Sequence, residues 1–482
     1  MGKKRREADS LGGVEIPSDA YYGAQTMRAI DNFPISGVPI GHLSQLIYAL
    51  AIVKKAAVLA NARLGDIAAH KANAIAAACD DIIAGDLITE FPIDVFQGGA
   101  GTSTNMNVNE VVANRALEHL GFPRGRYDIV HPNDDVNLSQ STNDVYPTAI
   151  RLAILLAHRS LDRELRQLGA ELERKGAEFA GVIKLGRTQL QDAVPMTLGQ
   201  EFTAFAITVR EDVPRLDELV GLFREVNLGG TAIGTEINTK PDYAGIVVEE
   251  LSRLTEVPFV AASNLIEACW DTGSFVLFSG MLKRTATKLS KISNDLRLLS
   301  SGPRGGLCEI NLPAVQPGSS IMPGKVNPVI PEVVNQVAFQ VIGADLTITL
   351  AAEAGQLQLN VMEPVIAYSM LQSISLLTNA ARLLREKCIV GITANMERCR
   401  QHLEASTAVV TALTPLIRYE RASDVAKSAL KSGRNVWDVL KSELQLAPEL
   451  LDQLRDPSAL TRPWKAQGLE GSKSSAEVQC AK

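Results

Sequence analysis

Apolar residues recur along this chain at helical rather than strand spacing. Val145, Ala149, Leu152 and Leu156 stand 4, 3 and 4 apart, and Leu198, Phe202, Phe205, Val209 and Val213 stand 4, 3, 4 and 4 apart. Val334, Val337, Val341 and Ile348 keep nearly the same rhythm, with Asp345 as the one acid in the row. Such spacing gathers the apolar side chains on one face of a helix. The window from Leu50 to Leu64 is rich in Ala and Leu, both strong helix formers. Segments that alternate with period two are few. The pattern predicts an all-α protein, with at most small strands near the N-terminus.

Punctuation divides the chain into three parts. Residues 1–143 end on the polar stretch Asn133–Asn143. Residues 144–395 hold several long helices, with loops marked by Gly229-Gly230, Pro241 and Gly302–Gly306. In residues 396–482 the segments shorten, carry more charge and are broken by Pro448, Pro457 and Pro463. The closing stretch Gly468–Lys482 is polar and is expected to fray. No repeat of fixed period is present.

Composition narrows the class. The chain has 482 residues, 46% hydrophobic and 21% charged, within the ordinary range of soluble globular proteins. Its 48 Lys and Arg against 54 Asp and Glu give a formal charge of −6, so neither nucleic acid nor a membrane surface is an expected partner. The basic start Lys3–Arg6 runs into Glu7 and Asp9 with no apolar stretch behind it, unlike a secretory signal. Arg6 stands where a myristoylation motif requires Ser or Thr. No uninterrupted apolar run reaches the roughly 18 residues of a membrane span. Cys79, Cys269, Cys308, Cys388, Cys399 and Cys480 lie far apart without a C-x-x-C pair. Reduced thiols in a cytoplasmic protein are therefore expected, not disulfides or zinc. The six histidines include no i, i+4 pair, so no metal site is expected.

Four polar segments sit oddly in such an apolar chain. They are Gly98–Asn107, Ser139–Asp144, Gly186–Asp192 and Gly318–Asn327. Each adjoins a helical pattern. Ser, Thr and Asn at helix starts can be plain caps. The same groups, with free backbone N–H groups, also suit a carboxylate or phosphate. The fourth segment fails as a phosphate loop. Five residues separate Gly318 from Gly324 where four are needed, and Val326 follows Lys325 where a hydroxyl is required. No G-x-G-x-x-G opens a strand-to-helix turn, so no nucleotide cofactor is expected. Hydroxyls, amides and one lysine can bind a small dicarboxylate and stabilise a negative intermediate. A serine on a Gly-flanked loop can then serve as a base. A Ser–His–acid hydrolase is the competing chemistry, but no G-x-S-x-G elbow surrounds Ser319.

The segment GSSIMPGKVNP, Gly318–Pro328, resembles the signature of the aspartase/fumarase superfamily of lyases. The likeness runs from Ile16 to about Trp464. Four tracts follow the aspartase rather than the fumarase pattern: Phe96–Glu110 with Ser103, the tract containing Gln316, Pro328–Gly343, and Ala351–Ile366. Gln189 occupies a place where fumarases and some aspartases carry His. A glutamine cannot titrate, which favours ammonia elimination over hydration. Gly343-Ala344-Asp345 departs from the family's usual Gly-Asn-Asp, and a packing change is expected there.

The resemblance implies an all-helical lyase fold in three domains, 1–143, 144–395 and 396–482. Four central helical bundles would pack together as a homotetramer. It implies reversible elimination of ammonia from L-aspartate to give fumarate, without a cofactor. Ser319 would be the catalytic base that takes the Cβ proton. Thr104, Ser141, Thr142 and Ser320 would surround the β-carboxylate as it becomes an aci-carboxylate. Lys325, Asn327 and Thr188 would bind the α-carboxylate, and Asn143 and Gln189 the amino group. Each site would draw its segments from three chains. For the Ser and Thr positions capping remains the plain alternative, and for Lys325 a solvated loop lysine. His131 resembles part of a secondary carboxylate site, with a polar loop histidine as its simpler reading. A class II fumarate hydratase and a non-catalytic relative, like the lens crystallins on this scaffold, are the alternatives. Intact Ser319, Lys325 and Asn327 speak against the second.

Overall fold

The structure, a computed structural model, describes residues 3–443 and 460–461. The tract with Pro448 and Pro457, Pro463, Cys480 and the polar stretch Gly468–Lys482 lie outside the described residues. Among the described residues there are fifteen α-helices and four two-stranded sheets. The all-α reading holds. The small strands, however, are not confined to the N-terminus: a hairpin, Ile183–Thr188 with Gln191–Thr197, lies mid-chain. Its two-residue turn, Gln189-Leu190, lacks the Gly or Asn that usually marks such a turn.

The chain forms two compact units. The first comprises Met1–Arg166, Arg210–Ser290 and Val333–Arg382. Its helix Ser44–Arg63 packs against Ala69–Ala84 and Tyr243–Thr255, and Ala69–Ala84 packs against Thr102–His119. Ser44–Arg63 is apolar nearly all round and rich in alanine, so it can be enclosed and approached closely. Leu46, Leu50, Val53 and Ala57 on it are fully buried. Each buried Leu or Val contributes roughly 1.5–3 kcal/mol.

The stripe from Leu198 to Val213 is buried throughout, but two helices carry it, Leu198–Arg210 and Asp212–Val220. Pro214 explains the break. It has no N–H to give the Arg210 carbonyl, and its ring crowds that carbonyl. In the first unit, helices Gly273–Leu299 and Val329–Glu353 are joined by Ser279 donating to Asp345 at 2.7 Å and by Asn335 donating to the Ser290 hydroxyl at 2.8 Å. Ala344 is buried on the same helix as Asp345.

Among the described residues two helices, Ser44–Arg63 and Val329–Glu353, are apolar and long enough to cross a membrane, each with a mean hydropathy of 1.3. Lys54, Lys55 and Asp345 interrupt their apolar runs, so neither shows as an unbroken apolar stretch in the sequence. Helix Ser44–Arg63 is mostly enclosed by protein.

The second unit comprises Gln167–Val209, Lys291–Glu332 and the residues from Leu383 onward. Its hairpin packs on helices Met396–Ala405 and Ala408–Ile417. Leu185, Leu403, Val409, Leu413 and Trp437 form part of the core there. Beneath the hairpin lies Glu309, fully buried. It pairs with Arg187 at 2.7 Å, His402 at 2.9 Å and Lys184 at 3.0 Å. Burial alone would raise its carboxyl, but Arg187, Lys184 and His402 hold it below the usual range. This hub anchors Arg187, the residue before Thr188.

Candidate active site

The segment Ser139–Asp144 ends one long loop and begins helix Thr142–Glu178. Ser141 and Asp144 form a reciprocal cap: the Asn143 N–H donates to Ser141 Oγ at 3.2 Å, and the Ser141 N–H donates to Asp144 Oδ1 at 2.9 Å. The other Asp144 oxygen accepts the Gly229 and Thr231 N–H groups, each at 3.0 Å. Asp144 is fully buried, and burial raises its carboxyl to about 6 despite these donors and nearby Lys54. Pro147 cannot donate to the Asn143 carbonyl, and Asn227 Nδ2 takes over that acceptor at 2.9 Å. The capping expectation for Ser141 is thus met, and the capping leaves its O–H proton for another acceptor.

Asn143 is oriented by its neighbour. Its Nδ2 donates to the Ala232 carbonyl at 2.8 Å. A carbonyl accepts only, so Asn143 Oδ1 must face away as an acceptor. That polarity suits an ammonium group.

Thr142 is nearly buried, and its hydroxyl accepts from Asn105 Nδ2 at 3.0 Å. Thr104 is fully buried; its hydroxyl and N–H both donate to Gln97 Oε1, at 2.8 and 3.1 Å. Thr104 and Asn105 open helix Thr102–His119 just after Gly101. Gly101 is obligatory there: its φ is +87°, and a Cβ would lie 2.6 Å from the Tyr146 ring. Below this layer sits Lys54, also fully buried, donating to Asn137 Oδ1 at 2.8 Å and Gln140 Oε1 at 2.9 Å. Burial lowers its ammonium to about 7, opposed by the Asp144 carboxylate.

Thr188 and Gln189 stand exposed at the hairpin tip. Gln189 and Leu190 have φ of +55° and +62°, the left-handed region that side chains disfavour. A turn with two such residues is strained, and strain of this kind collects at functional sites.

The loop Gly318–Asn327 folds on itself. The Gly318 N–H donates to the Lys325 carbonyl at 2.9 Å, and Asn327 Nδ2 donates to the Gly318 carbonyl at 2.6 Å. A Cβ on Gly318 would lie 2.2 Å from the Lys325 carbonyl oxygen, so only glycine closes this loop. Ser319 Oγ accepts two backbone N–H groups, Ile321 at 3.2 Å and Met322 at 3.0 Å. Two donors on one oxygen stabilise its alkoxide, as an oxyanion hole does. Ser320 and Lys325 are exposed.

Thr104, Ser141, Thr142 and Asn143 thus gather in the first unit. Thr188 and Gln189 on the hairpin, and Ser319, Ser320, Lys325 and Asn327 on the loop, belong to the second. Lys54, Asn137 and Asn227 lie outside the four polar segments of the sequence, and Asn105 and Asp144 lie inside them without an assigned role. A lysine inside the apolar run Leu46–Val58 was the available signal for the first. His131 caps a short π-helical turn, its Nδ1 accepting the Asn133 and Asp134 N–H groups at 3.2 Å. It lines a cleft of about 570 Å³ in the first unit with Gln25, Arg28 and Ser103; none of the predicted site residues lines that cleft. His158, Asp162 and Asp217 come together as a possible ligand set that histidine spacing did not reveal. Arg166 donates to both of those carboxylates, which makes the group an ion-pair network.

Residues 12–343 match the family described as Lyase, and residues 409–462 the one described as Fumarase C C-terminus. The chain is 60% identical over 460 residues to an aspartate ammonia-lyase of Pseudomonas fluorescens, covering 95% of this chain and 96% of that one. It is 52% identical over 460 residues to an aspartate ammonia-lyase of Escherichia coli strain K12, with the same coverage. A solved structure of fumarate lyase:delta crystallin from Brucella melitensis bound to cobalt is 61% identical, with a TM-score of 0.93 over 96% of this chain and 100% of that one. A class II fumarase from Schistosoma mansoni is 37% identical, with a TM-score of 0.88 over 94% and 98%. The chain belongs to the aspartase/fumarase superfamily of lyases. Within it, the likeness to these aspartate ammonia-lyases, at 52–60%, exceeds that to the fumarase at 37%.

Proposed function

We propose that this chain is an aspartate ammonia-lyase, removing ammonia reversibly from L-aspartate to give fumarate with Ser319 as the base. The carrying observation is the Ser319 oxygen, held by two backbone N–H groups on a glycine-closed loop. The Cβ–H beside a carboxylate is very weakly acidic. Ser319 removes that proton, and the electron pair moves into the β-carboxylate, which becomes an aci-carboxylate with two negative charges. The pair then returns to form the C=C bond as the C–N bond breaks and ammonia leaves. Catalysis requires donors where this charge develops. Ser141 and Thr142, whose oxygens already accept N–H groups, have their own protons to offer it. Ser320 completes that end, while Thr104, fully buried with its O–H given to Gln97, supports the layer from behind. Lys325, Asn327 and Thr188 hold the α-carboxylate, while Asn143 and Gln189 receive the amino group.

The reading includes assembly as a homotetramer whose sites combine segments of three chains. Phe339, Ile342, Leu346 and Leu350 support it. They recur at helical spacing along Val329–Glu353 and are 65%, 38%, 61% and 59% exposed in the single chain. An apolar stripe of that length is costly in water and suits a helix-on-helix interface. The free thiols Cys79, Cys269, Cys308, Cys388 and Cys399 suit a reducing cytoplasm. The test is ultraviolet absorbance of fumarate from purified protein, first with L-aspartate and then with L-malate. Fumarate from aspartate without added cofactor is expected. Rapid fumarate from malate, with none from aspartate, would sink the reading and favour a hydratase.

A further inference from the structure

Lys54, Asn137, Asn105 and Thr142 form one hydrogen-bonded chain in the first unit. Lys54 donates to Asn137 Oδ1 at 2.8 Å. Asn105 Nδ2 donates to that same oxygen at 3.2 Å and to Thr142 Oγ1 at 3.0 Å. Asn109 Nδ2 donates to it as well, at 3.2 Å. Lys54 and Asn105 are among the most enclosed polar residues of the unit, and Thr142 is buried beside them. The Lys54 amine gives N–H groups to two oxygens, Asn137 Oδ1 and Gln140 Oε1, which it can do charged or neutral. It therefore turns the oxygen of Asn137 toward itself. That oxygen in turn faces the nitrogen of Asn105, and both donors of that nitrogen are then used. Thr142 receives one of them, so its own O–H must point to an acceptor elsewhere. Among the described residues no protein group accepts it. Asn105 Oδ1 is buried with no partner, so the amide gains nothing from its oxygen in this orientation. The orientation follows from the lysine together with the Gln140 carbonyl, which accepts from Asn137 Nδ2 at 3.2 Å.

The geometry points to Lys54 and Asn105 as positioning residues that make the Thr142 hydroxyl an obligate donor toward a bound carboxylate. This rests on the dicarboxylate site proposed above. Without the Lys54 amine only the 3.2 Å bond to the Gln140 carbonyl still orients Asn137, so Asn137 and then Asn105 are freer to flip, and Thr142 can turn its proton inward. It would then present lone pairs to an anion. Neither Lys54 nor Asn105 touches substrate; both act through Thr142.

The test compares kcat/KM for L-aspartate among the parent, Lys54→Met, Asn105→Leu and Thr142→Val, and the two doubles that combine Thr142→Val with each of the others. Methionine keeps the length of the buried stem without the charge. Leucine removes the Asn105 donors, and an unpartnered oxygen with them, without adding charge. Melting temperature and assembly are measured for each, and either single variant with a parent-like melt suffices. The expected result is a loss of at least tenfold for each single variant, and an additional loss under threefold for each double relative to Thr142→Val alone. Losses that simply multiply in the doubles, or a well-folded Asn105→Leu protein within threefold of the parent, would overturn the assignment. A parent protein inactive on aspartate would instead overturn the proposed reaction, and the assignment with it. An active parent with indifferent variants leaves the reaction standing and rejects only the positioning role.

Discussion

The segment Ser139–Asp144 and the loop Gly318–Asn327 carry similar side chains but are built in opposite ways. In the first, Asp144 takes three backbone N–H groups, Asn227 replaces the donor missing at Pro147, and a buried lysine orders the amides beneath. The hydrogen bonds of the second run within the loop or to adjacent Val329, and Ser320, Ile321 and Lys325 stand in solvent. Donors that stabilise developing charge work best when fixed beforehand. A base that must admit substrate and then exclude water works best on a segment that can move. On the proposed reading, the contrast is between a preorganised half and a half that closes over substrate.

Replacing the base should give the largest effect. Ser319→Ala should lower kcat by about 10³–10⁴ at the upper end of general-base contributions, with the thermal melt unchanged because the residue lies on a loop with few outside contacts. Steady-state kinetics beside a thermal melt checks both parts. Residual activity within a few-fold of the parent would remove Ser319 from its role.

The ordered half should instead betray itself through pH. Burial lowers Lys54 from 10.5 to about 7, so the folded chain holds this proton less tightly than the unfolded chain. A depressed folded value adds stability above the unfolded value and loses it as pH falls through the folded one. From pH 7 to 10 the Lys54 contribution should therefore rise with pH, at up to about 1.4 kcal/mol per unit. Lys54→Met should remove that slope. Unfolding midpoints of parent and variant across this range make the comparison, and equal slopes would contradict the burial argument.

The smallest effect belongs to the hairpin tip. Leu190 has φ +62° and is 72% exposed, so Leu190→Gly relieves strain without opening a cavity. A gain of about 0.5–1 kcal/mol is expected from calorimetry. A loss would mean that the exposed leucine makes a contact in the assembled protein.

Much of this was legible in the sequence, and the exceptions share a cause. Helical stripes such as Val145, Ala149 and Leu152 are buried as the spacing predicts, because periodicity is local. The motif hydroxyls stood out because polar runs are rare in an apolar chain. Lys54 and Asn105 did not, since their meaning depends on residues 83 and 37 positions away, Asn137 and Thr142. Glu309 is the same case, with partners at 184, 187 and 402. The hairpin escaped because its turn uses Gln-Leu against local preference. Helix Val329–Glu353 reads as apolar on two faces, and sequence alone does not tell which face its own chain buries.

That the two halves form one site across chains is tested most directly by subunit mixing. A Thr142→Val protein and a Ser319→Ala protein, each far less active than the parent alone, are combined under conditions that exchange subunits, and fumarate is followed from aspartate. Some mixed tetramers would hold a site with an intact Thr142 segment from one chain and an intact Ser319 loop from another. Partial recovery of activity, in proportion to such sites, is the predicted result. Mixed tetramers that demonstrably form and stay inactive would contradict it, as would a stable, fully active monomer.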